Sequence, residues 1–250
     1  MIDLHSHVLP GLDDGAQTMD DSLELGRTAE RDGIRVVAAT PHVSERDRTT
    51  PDQVERGVAE VRAAFASAAI PVDVVSGGEI AYSRLDDLSR DDLRRFSLGG
   101  GGRYLLLELP WLGWPLDLDQ RIFELMASGL IPVIAHPERV REVQSEPRRL
   151  VRAVEMGALL QITASSVDGR SGRSARATAQ RLLDLGMAHL VASDAHTPDI
   201  REIGLSEACR LLGDDALATW MAEDVPAAIL AGEDAPERPV RRRRRRLGIF

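Results

Sequence analysis

The sequence predicts an α/β fold in which a parallel sheet, with helices in its connections, closes into a barrel. Two observations carry that expectation. Seven short apolar runs alternate with helical stretches along the 250 residues, and no internal repeat or linker divides the chain. A third supports it: five of the six histidines lie one to four residues past the end of a proposed strand, as side chains collected at one face of a parallel barrel would.

The elements follow in order. Ile2–Leu4 is a short apolar strand, and Met19–Arg31 has helical spacing, with Thr18 as N-cap and Gly33 as stop. Ile34–Ala39 is a buried strand. Thr50-Pro51-Asp52-Gln53 opens the next helix with proline at its first position and glutamine placed to complete a capping box. Strands then fall at Val72–Ser76, Tyr104–Leu107, Ile131–Ala135, Leu159–Ile162 and His189–Ala192, with helices at Leu85–Arg95, Leu118–Ser128, Arg148–Met156 and Ala175–Leu185. Three amphipathic segments end the fold, around Ser206–Leu212, Ala216–Ala222 and Pro226–Ala231. Gly99–Gly102 reads as a turn entering a strand, and Gly169–Ser174 as a loop by composition. One domain over residues 1–233 is expected, followed by a basic, disordered tail over 234–250.

Composition removes several chemistries. All 31 basic residues are arginine, which excludes Schiff-base lysines, Ser-Lys nucleophile pairs and the P-loop lysine. The single cysteine, Cys209, excludes a disulfide framework and a multi-thiolate zinc site; it lies on an apolar helical stripe and reads as core. Net charge is −9, and Arg241–Arg246 supply six of the positive charges, so the body is more acidic still. That balance argues against nucleic acid as a partner, because phosphate neutralisation dominates such binding. No apolar run reaches the roughly 18 residues of a membrane span. The Met-Ile-Asp-Leu-His start lacks the basic and apolar stretches of a signal peptide, so a cytoplasmic protein is expected.

The residues that remain are histidines and carboxylates at strand ends. His5-Ser6-His7 projects two rings to the same side of a strand. Thr40-Pro41-His42 and Ala135-His136-Pro137 each set a histidine beside a proline that stiffens the strand exit, and Ser193-Asp194-Ala195-His196 offers two more donors. Glu79 and Glu108 follow the third and fourth strands. His and carboxylate without thiolate suit manganese, iron or zinc. Singly, each signal is weak; Asp13-Asp14-Gly15 alone is more often a turn. His189 begins a strand instead of ending one and reads as a packed residue. Arg139 and Arg201 stand in loops leaving the same face, where a guanidinium would grip a phosphate. Trp111 and Trp114 either wall a substrate pocket or cover the barrel mouth. No Gly-x-Ser-x-Gly elbow and no dinucleotide fingerprint is present.

Together, His5-Ser6-His7, Leu12-Asp13-Asp14-Gly15, Ala39-Thr40-Pro41-His42, Ala135-His136-Pro137-Glu138-Arg139 and Ser193-Asp194-Ala195-His196 resemble the polymerase and histidinol phosphatase (PHP) superfamily. More narrowly they resemble its bacterial metal-dependent protein-tyrosine phosphatases of capsule and exopolysaccharide operons, the CpsB/YwqE type. Gln161–Ser166 and Ile229–Glu233 are similar to that family as well, whereas Asp224-Val225-Pro226 stands where Asn-Pro is expected.

The resemblance implies the PHP fold, a distorted TIM-like (β/α)7 barrel, with three divalent ions, manganese first and iron or zinc as alternatives. It assigns His5, His7, Glu79 and Asp194 to one ion, Glu79, Glu108 and His136 to a second, and Asp14, His42 and His196 to a third. Arg139 and Arg201 would bind the phosphate and serve catalysis. The implied activity is hydrolysis of phosphotyrosine on a membrane-anchored bacterial tyrosine kinase controlling capsule or exopolysaccharide synthesis. Alternatives are a small-molecule phosphatase of the histidinol-phosphate type and a non-catalytic metal-bound regulator that docks a kinase. The Arg241–Arg246 run reads either as a solvated tail or as a peripheral contact to an anionic membrane.

Overall fold

The computed structural model describes residues 1–197 and 204–239. It is a mixed α/β structure with two parallel sheets. The first contains β1 (Ile2–Ser6), β2 (Val36–Ala39) and β4 (Asp73–Ser76), in the order β1-β2-β4. The second contains β3 (His42–Val43), β5 (Glu79–Ala81), β6 (Tyr104–Glu108), β7 (Ile131–Ala135), β8 (Leu159–Thr163) and β9 (Leu190–Ala192), in that order. Every ladder between these strands is parallel.

The expected second and third strands, Ile34–Ala39 and Val72–Ser76, form as β2 and β4, and each is followed by a short further strand beyond the expected range, β3 and β5. The interruptions between them have local causes. Thr40-Pro41 separates β2 from β3, because proline has no N–H to donate to the ladder. Gly77-Gly78 separates β4 from β5, and a Cβ at Gly78 would stand 2.6 Å from Cδ1 of Phe96. Each chain thus leaves the first sheet and joins the second. The crossing aligns His42 with Glu79 across the β3–β5 ladder. On the other side of β1, Asp194 N–H donates to His5 O (2.9 Å) and His7 N–H to Ala195 O (2.8 Å). The first strand is therefore hydrogen-bonded to the segment following the last.

Helices form where the local sequence caps them. α1 (Met19–Arg31) and α2 (Pro51–Ser67) begin with the expected threonines, Thr18 and Thr50, both in complete capping boxes. The expected Leu85–Arg95 helix is shorter: Ser89 caps α3 (Arg90–Arg95), and a 3-10 turn covers Tyr82–Arg84. α4 is Leu118–Ala127, and the expected Arg148–Met156 helix resolves into a 3-10 turn, Pro147–Leu150, and α6 (Val151–Glu155). Two five-residue helices were not anticipated, α5 (Arg141–Ser145) and α7 (Ala164–Asp168). α8 is Arg173–Asp184, α9 Leu205–Leu212, α10 Asp215–Thr219 and α11 Val225–Ala231, with a π-helical turn, Trp220–Asp224, joining the last two.

The core is continuous. Leu105, Leu106, Leu107, Ile134, Leu160, Ile162 and Val191, from the adjacent central strands, are all buried, the pattern of strands covered on both faces. The 234–239 segment, assigned to the tail by composition, is held to the body in the structure. Arg103 bonds the carboxylate of Asp234, Trp220 Nε1 donates to Pro236 O (2.9 Å), and Arg238 Nη2 donates to Leu183 O (3.0 Å). The Arg241–Arg246 run lies outside the described residues. No helix among the described residues is long and apolar enough to cross a membrane.

Candidate metal centre

All nine histidines and carboxylates proposed as ligands converge. His5 lies in β1 and His7 just after it; His42 and Glu79 begin β3 and β5; Glu108 ends β6; His136 follows β7; Asp194 and His196 follow β9. Asp14 arrives from the loop between β1 and α1. Among the described residues, four overlapping groups have donor atoms within 4.8 Å of one another: His7, Asp14, His42 and His196; His5, Glu79 and His136; His5, His7 and Asp194; and His42, Glu79 and Glu108. Glu79 is central, with Oε1 2.7 Å from His136 Nε2 and Oε2 3.3 and 3.5 Å from Nε2 of His5 and His7.

Hydrogen bonds behind the rings settle which nitrogen faces inward. Gln161 Oε1 receives the backbone N–H of His136 (3.4 Å), so this atom is an acceptor, and His5 Nδ1 donates to it at 3.0 Å. His7 Nδ1 donates to Asp13 (2.7 Å) and His196 Nδ1 to the carbonyl of Asp194 (3.0 Å). Each of the three imidazoles is thereby held with its Nε2 lone pair toward the others, the arrangement that orients metal-bound histidines. Without a cation it is unfavourable. Nε2 of His5 and His7 face each other at 3.3 Å, and the buried Glu79 Oε2 is crowded by three imidazole nitrogens, Nδ1 of His42 at 2.9 Å and Nε2 of His5 and His7 at 3.3 and 3.5 Å. The donor set therefore fits divalent ions.

Electrostatics tell the same story. Burial opposes charge on His5, but Glu79 and Asp194 outweigh it and hold its pKa at about 9. Burial likewise opposes ionisation of Asp13, yet the bond from His7 brings it down to about 2. Burial and then the charge of Glu79 raise Glu108. A cluster of carboxylates this deep needs positive charge, supplied by protons or by metal ions.

Two of the proposed ligand positions carry backbone strain. His136 has φ 30° and Asp194 φ 56°, both in the left-handed region, at a cost of order 1–3 kcal/mol each. Such conformations persist where surrounding structure overrides them. Gly15 is the opposite case: a Cβ there would stand 2.3 Å from Cβ of His7, so only glycine lets the Asp13-Asp14 turn close over the ring.

The cluster opens into a cavity of about 270 Å³ lined by Asp14, His42, Glu108, Trp111, His136, Arg139, Asp194 and His196, with Ser44, Arg46 and Asp47 at its edge. Arg139 lines it as expected and bonds Asp194. Arg201 lies outside the described residues. The alternatives for the tryptophans separate. Trp111 lines the cavity, stacks on His136 at 5.7 Å, lies under the Arg139 guanidinium and donates from Nε1 to Glu108 (3.0 Å). Trp114 does not line it; Arg149 stands over its ring. His189 is indeed packed, accepting the Leu160 N–H on Nδ1 (3.0 Å), and Cys209 is half-buried against the core.

Sequence reasoning assigned no role to Asp13, Gln161 or Asp3. Asp3 is wholly buried and accepts from the backbone and hydroxyl of Ser193 (2.9 and 2.5 Å), anchoring the loop that carries Asp194. Asp13 and Gln161 did stand inside the quoted motifs; their signal was proximity to a histidine in space, which spacing does not reveal.

The family model for capsular polysaccharide synthesis proteins CpsB/CapC matches residues 1–225. The chain belongs to the CpsB/CapC family. It is 35% identical to the tyrosine-protein phosphatase YwqE of Bacillus subtilis, over 98% of each chain. It is 31% identical to the putative tyrosine-protein phosphatase CapC of Staphylococcus aureus, over 89% of this chain and 86% of that one. A solved structure from the work on YwqE of Bacillus subtilis and CpsB of Streptococcus pneumoniae, described as metal-dependent tyrosine phosphatases, superposes with a TM-score of 0.86 at 35% identity. It covers 97% of this chain and all of the other. A β-aspartyl dipeptidase from Fervidobacterium islandicum, 15% identical with a TM-score of 0.57, shares the fold alone.

Proposed function

We propose that this CpsB/CapC-family chain is a metal-dependent protein-tyrosine phosphatase whose substrate is a bacterial tyrosine kinase of capsule or exopolysaccharide synthesis. The observation that carries the reading is the nine-ligand cluster with its Nε2 lone pairs turned inward, beneath a cavity walled by an arginine. The two sheets are read as one distorted (β/α)7 barrel. The support is β2 running on into β3, β4 into β5, and the bonds from the segment after β9 to β1.

Three ions are proposed, manganese first. His5, His7, Glu79 and Asp194 would hold one; Glu79, Glu108 and His136 a second; Asp14, His42 and His196 the third. When bound, such ions acidify a coordinated water and neutralise charge on a phosphoryl group. The rest is the work of this chain. Arg139 presents a planar pair of donors to the phosphate oxygens, and its ion pair with Asp194 keeps it beside the cluster. Arg201 is proposed as a second phosphate ligand. Trp111 supports Glu108 through its Nε1–H and offers an indole, 49% exposed, to the mouth of the cavity. Asp13, Gln161 and Asp3 hold the rings and the Asp194 loop in register.

The test is turnover of phosphotyrosine peptides against histidinol phosphate at matched metal loading. A kcat/KM in favour of the peptides is expected. Preference for histidinol phosphate would move the chain to the small-molecule branch, and no metal-dependent turnover of either would leave it a regulator.

A further inference from the structure

A second cavity, of about 400 Å³, adjoins the first and shares Trp111 and Arg139 with it. Its other lining residues are Gln144, Ser165, Arg170, Ser171 and Ala175. The two cavities differ in chemistry. Asp14, Asp47, Glu108 and Asp194 line the first, whereas among the described residues no carboxylate lines the second. In a chain of net charge −9, this recess presents two guanidinium groups, each paired with a carboxylate set behind it (Asp194 and Asp168), together with an amide and two hydroxyls, so its described lining is rich in hydrogen-bond donors.

The recess is also built rather than incidental. Ser171 N–H donates to Ser165 O (2.8 Å), and the two serine hydroxyls share a 2.7 Å hydrogen bond. Asp168 holds Arg170 through both Nε and Nη2 at 2.7 Å, setting the guanidinium plane. Gln144 is tied to the Glu138 carbonyl (3.0 Å), directly preceding Arg139. α8 starts beside it without a side-chain cap, and its third residue, Ala175, is part of the lining.

We propose that this second cavity is a subsite for an anionic side chain, carboxylate or phosphate, carried within a few residues of the phosphotyrosine. The proposal rests on the phosphotyrosine reading above and extends it to sequence selectivity. The scissile phosphate would enter the first cavity, Trp111 would stand between the two groups, and Arg139 would face both. Arg170 is then a specificity-determining residue that does not touch the reacting atoms. The overall acidity of the chain sharpens the inference: long-range charge repels acidic peptides, so a preference for them must come from a local site.

Four substrates test it on the full chain loaded with Mn2+: a phosphotyrosine peptide flanked by glutamates, the same peptide with glutamines, one with a second phosphotyrosine, and p-nitrophenyl phosphate. The glutamate and doubly phosphorylated peptides should show KM values lower than the glutamine peptide by about fivefold. The more favourable of the two identifies which anion the subsite prefers. Arg170→Gln and, separately, Ser171→Glu should bring the three peptides to one KM while kcat on p-nitrophenyl phosphate stays as in wild type. Equal KM values in wild type, or a preference surviving in both variants, would overturn the subsite and leave the phosphatase reading standing. Turnover of p-nitrophenyl phosphate with no turnover of any phosphotyrosine peptide would overturn both.

Discussion

The Asp13 carboxylate accepts a 2.7 Å hydrogen bond from Nδ1 of His7 and, on the same oxygen, a 2.9 Å bond from the backbone N–H of His42. One side chain thus orients the ring of His7 and fixes the backbone of His42, two residues proposed to bind different ions. Its second oxygen accepts from Gly15 N–H (2.9 Å), closing the turn that carries Asp14.

Asp13→Ala should therefore lower metal affinity by about 10–100-fold, the usual effect of losing a carboxylate behind a metal-bound histidine. Titration calorimetry with Mn2+ reads it directly. Asp13→Asn, which retains an acceptor but not the charge, should fall between the two, and wild-type affinity in Asp13→Ala would remove Asp13 from the site.

His136→Ala removes a ring that no neighbour can replace, since its Nε2 reaches both Glu79 and Glu108. Turnover of p-nitrophenyl phosphate should drop by at least about a hundredfold, with restoration by Mn2+ after chelation lost as well. Near-normal turnover at equal folding would contradict the assignment.

Arg139→Ala should lower kcat/KM by about 10²–10³-fold, in the range for removing a preorganised donor to developing charge. Metal content measured on the purified variant should be unchanged, because a guanidinium cannot ligate a cation. Arg139→Lys should recover part of the loss only, as lysine lacks the planar fork. Metal loss in Arg139→Ala would instead mark the Asp194 contact as structural.

His189 supplies a pH prediction remote from the metals. Burial, and then the charge of Arg238, depress its pKa from 6.5 to about 4. The folded state therefore holds this ring neutral where the unfolded chain protonates it. Its contribution to stability is present above pH 6.5 and is lost as pH falls toward 4, to a maximum of ~3 kcal/mol. Urea unfolding of wild type and His189→Asn should show the wild type losing more stability between those values. Parallel curves would refute the depressed pKa.

What was legible in the sequence was what local chemistry decides. Thr18 and Thr50 announced their helices because a capping box lies within four residues, and the ligands announced themselves by standing at strand exits. Partner choice was not legible. Pro41 and Gly77-Gly78 mark interruptions, but that β3 and β5 then pair in another sheet depends on strands far along the chain. The five residues of α5 and of α7 are too few to display a helical period. Asp3 drew no attention because its partner, Ser193, is 190 residues away. Leu85–Arg95 failed for a local reason that was available: Ser89 with Asp92 is a capping box inside the proposed helix.

The bonds between β1 and the segment after β9 have a consequence for synthesis. His5 and His7 emerge from the ribosome first, yet Asp194 and Ala195, which complete the pairing of that strand, come nearly two hundred residues later. Until then one edge of β1 is open, and an exposed apolar edge is a template for wrong pairing between chains. The two histidines also wait through that interval without the carboxylate that completes their group. A nascent chain stalled before Asp194 is thus the form most exposed to wrong pairing between chains, with the group of His5 and His7 still one carboxylate short.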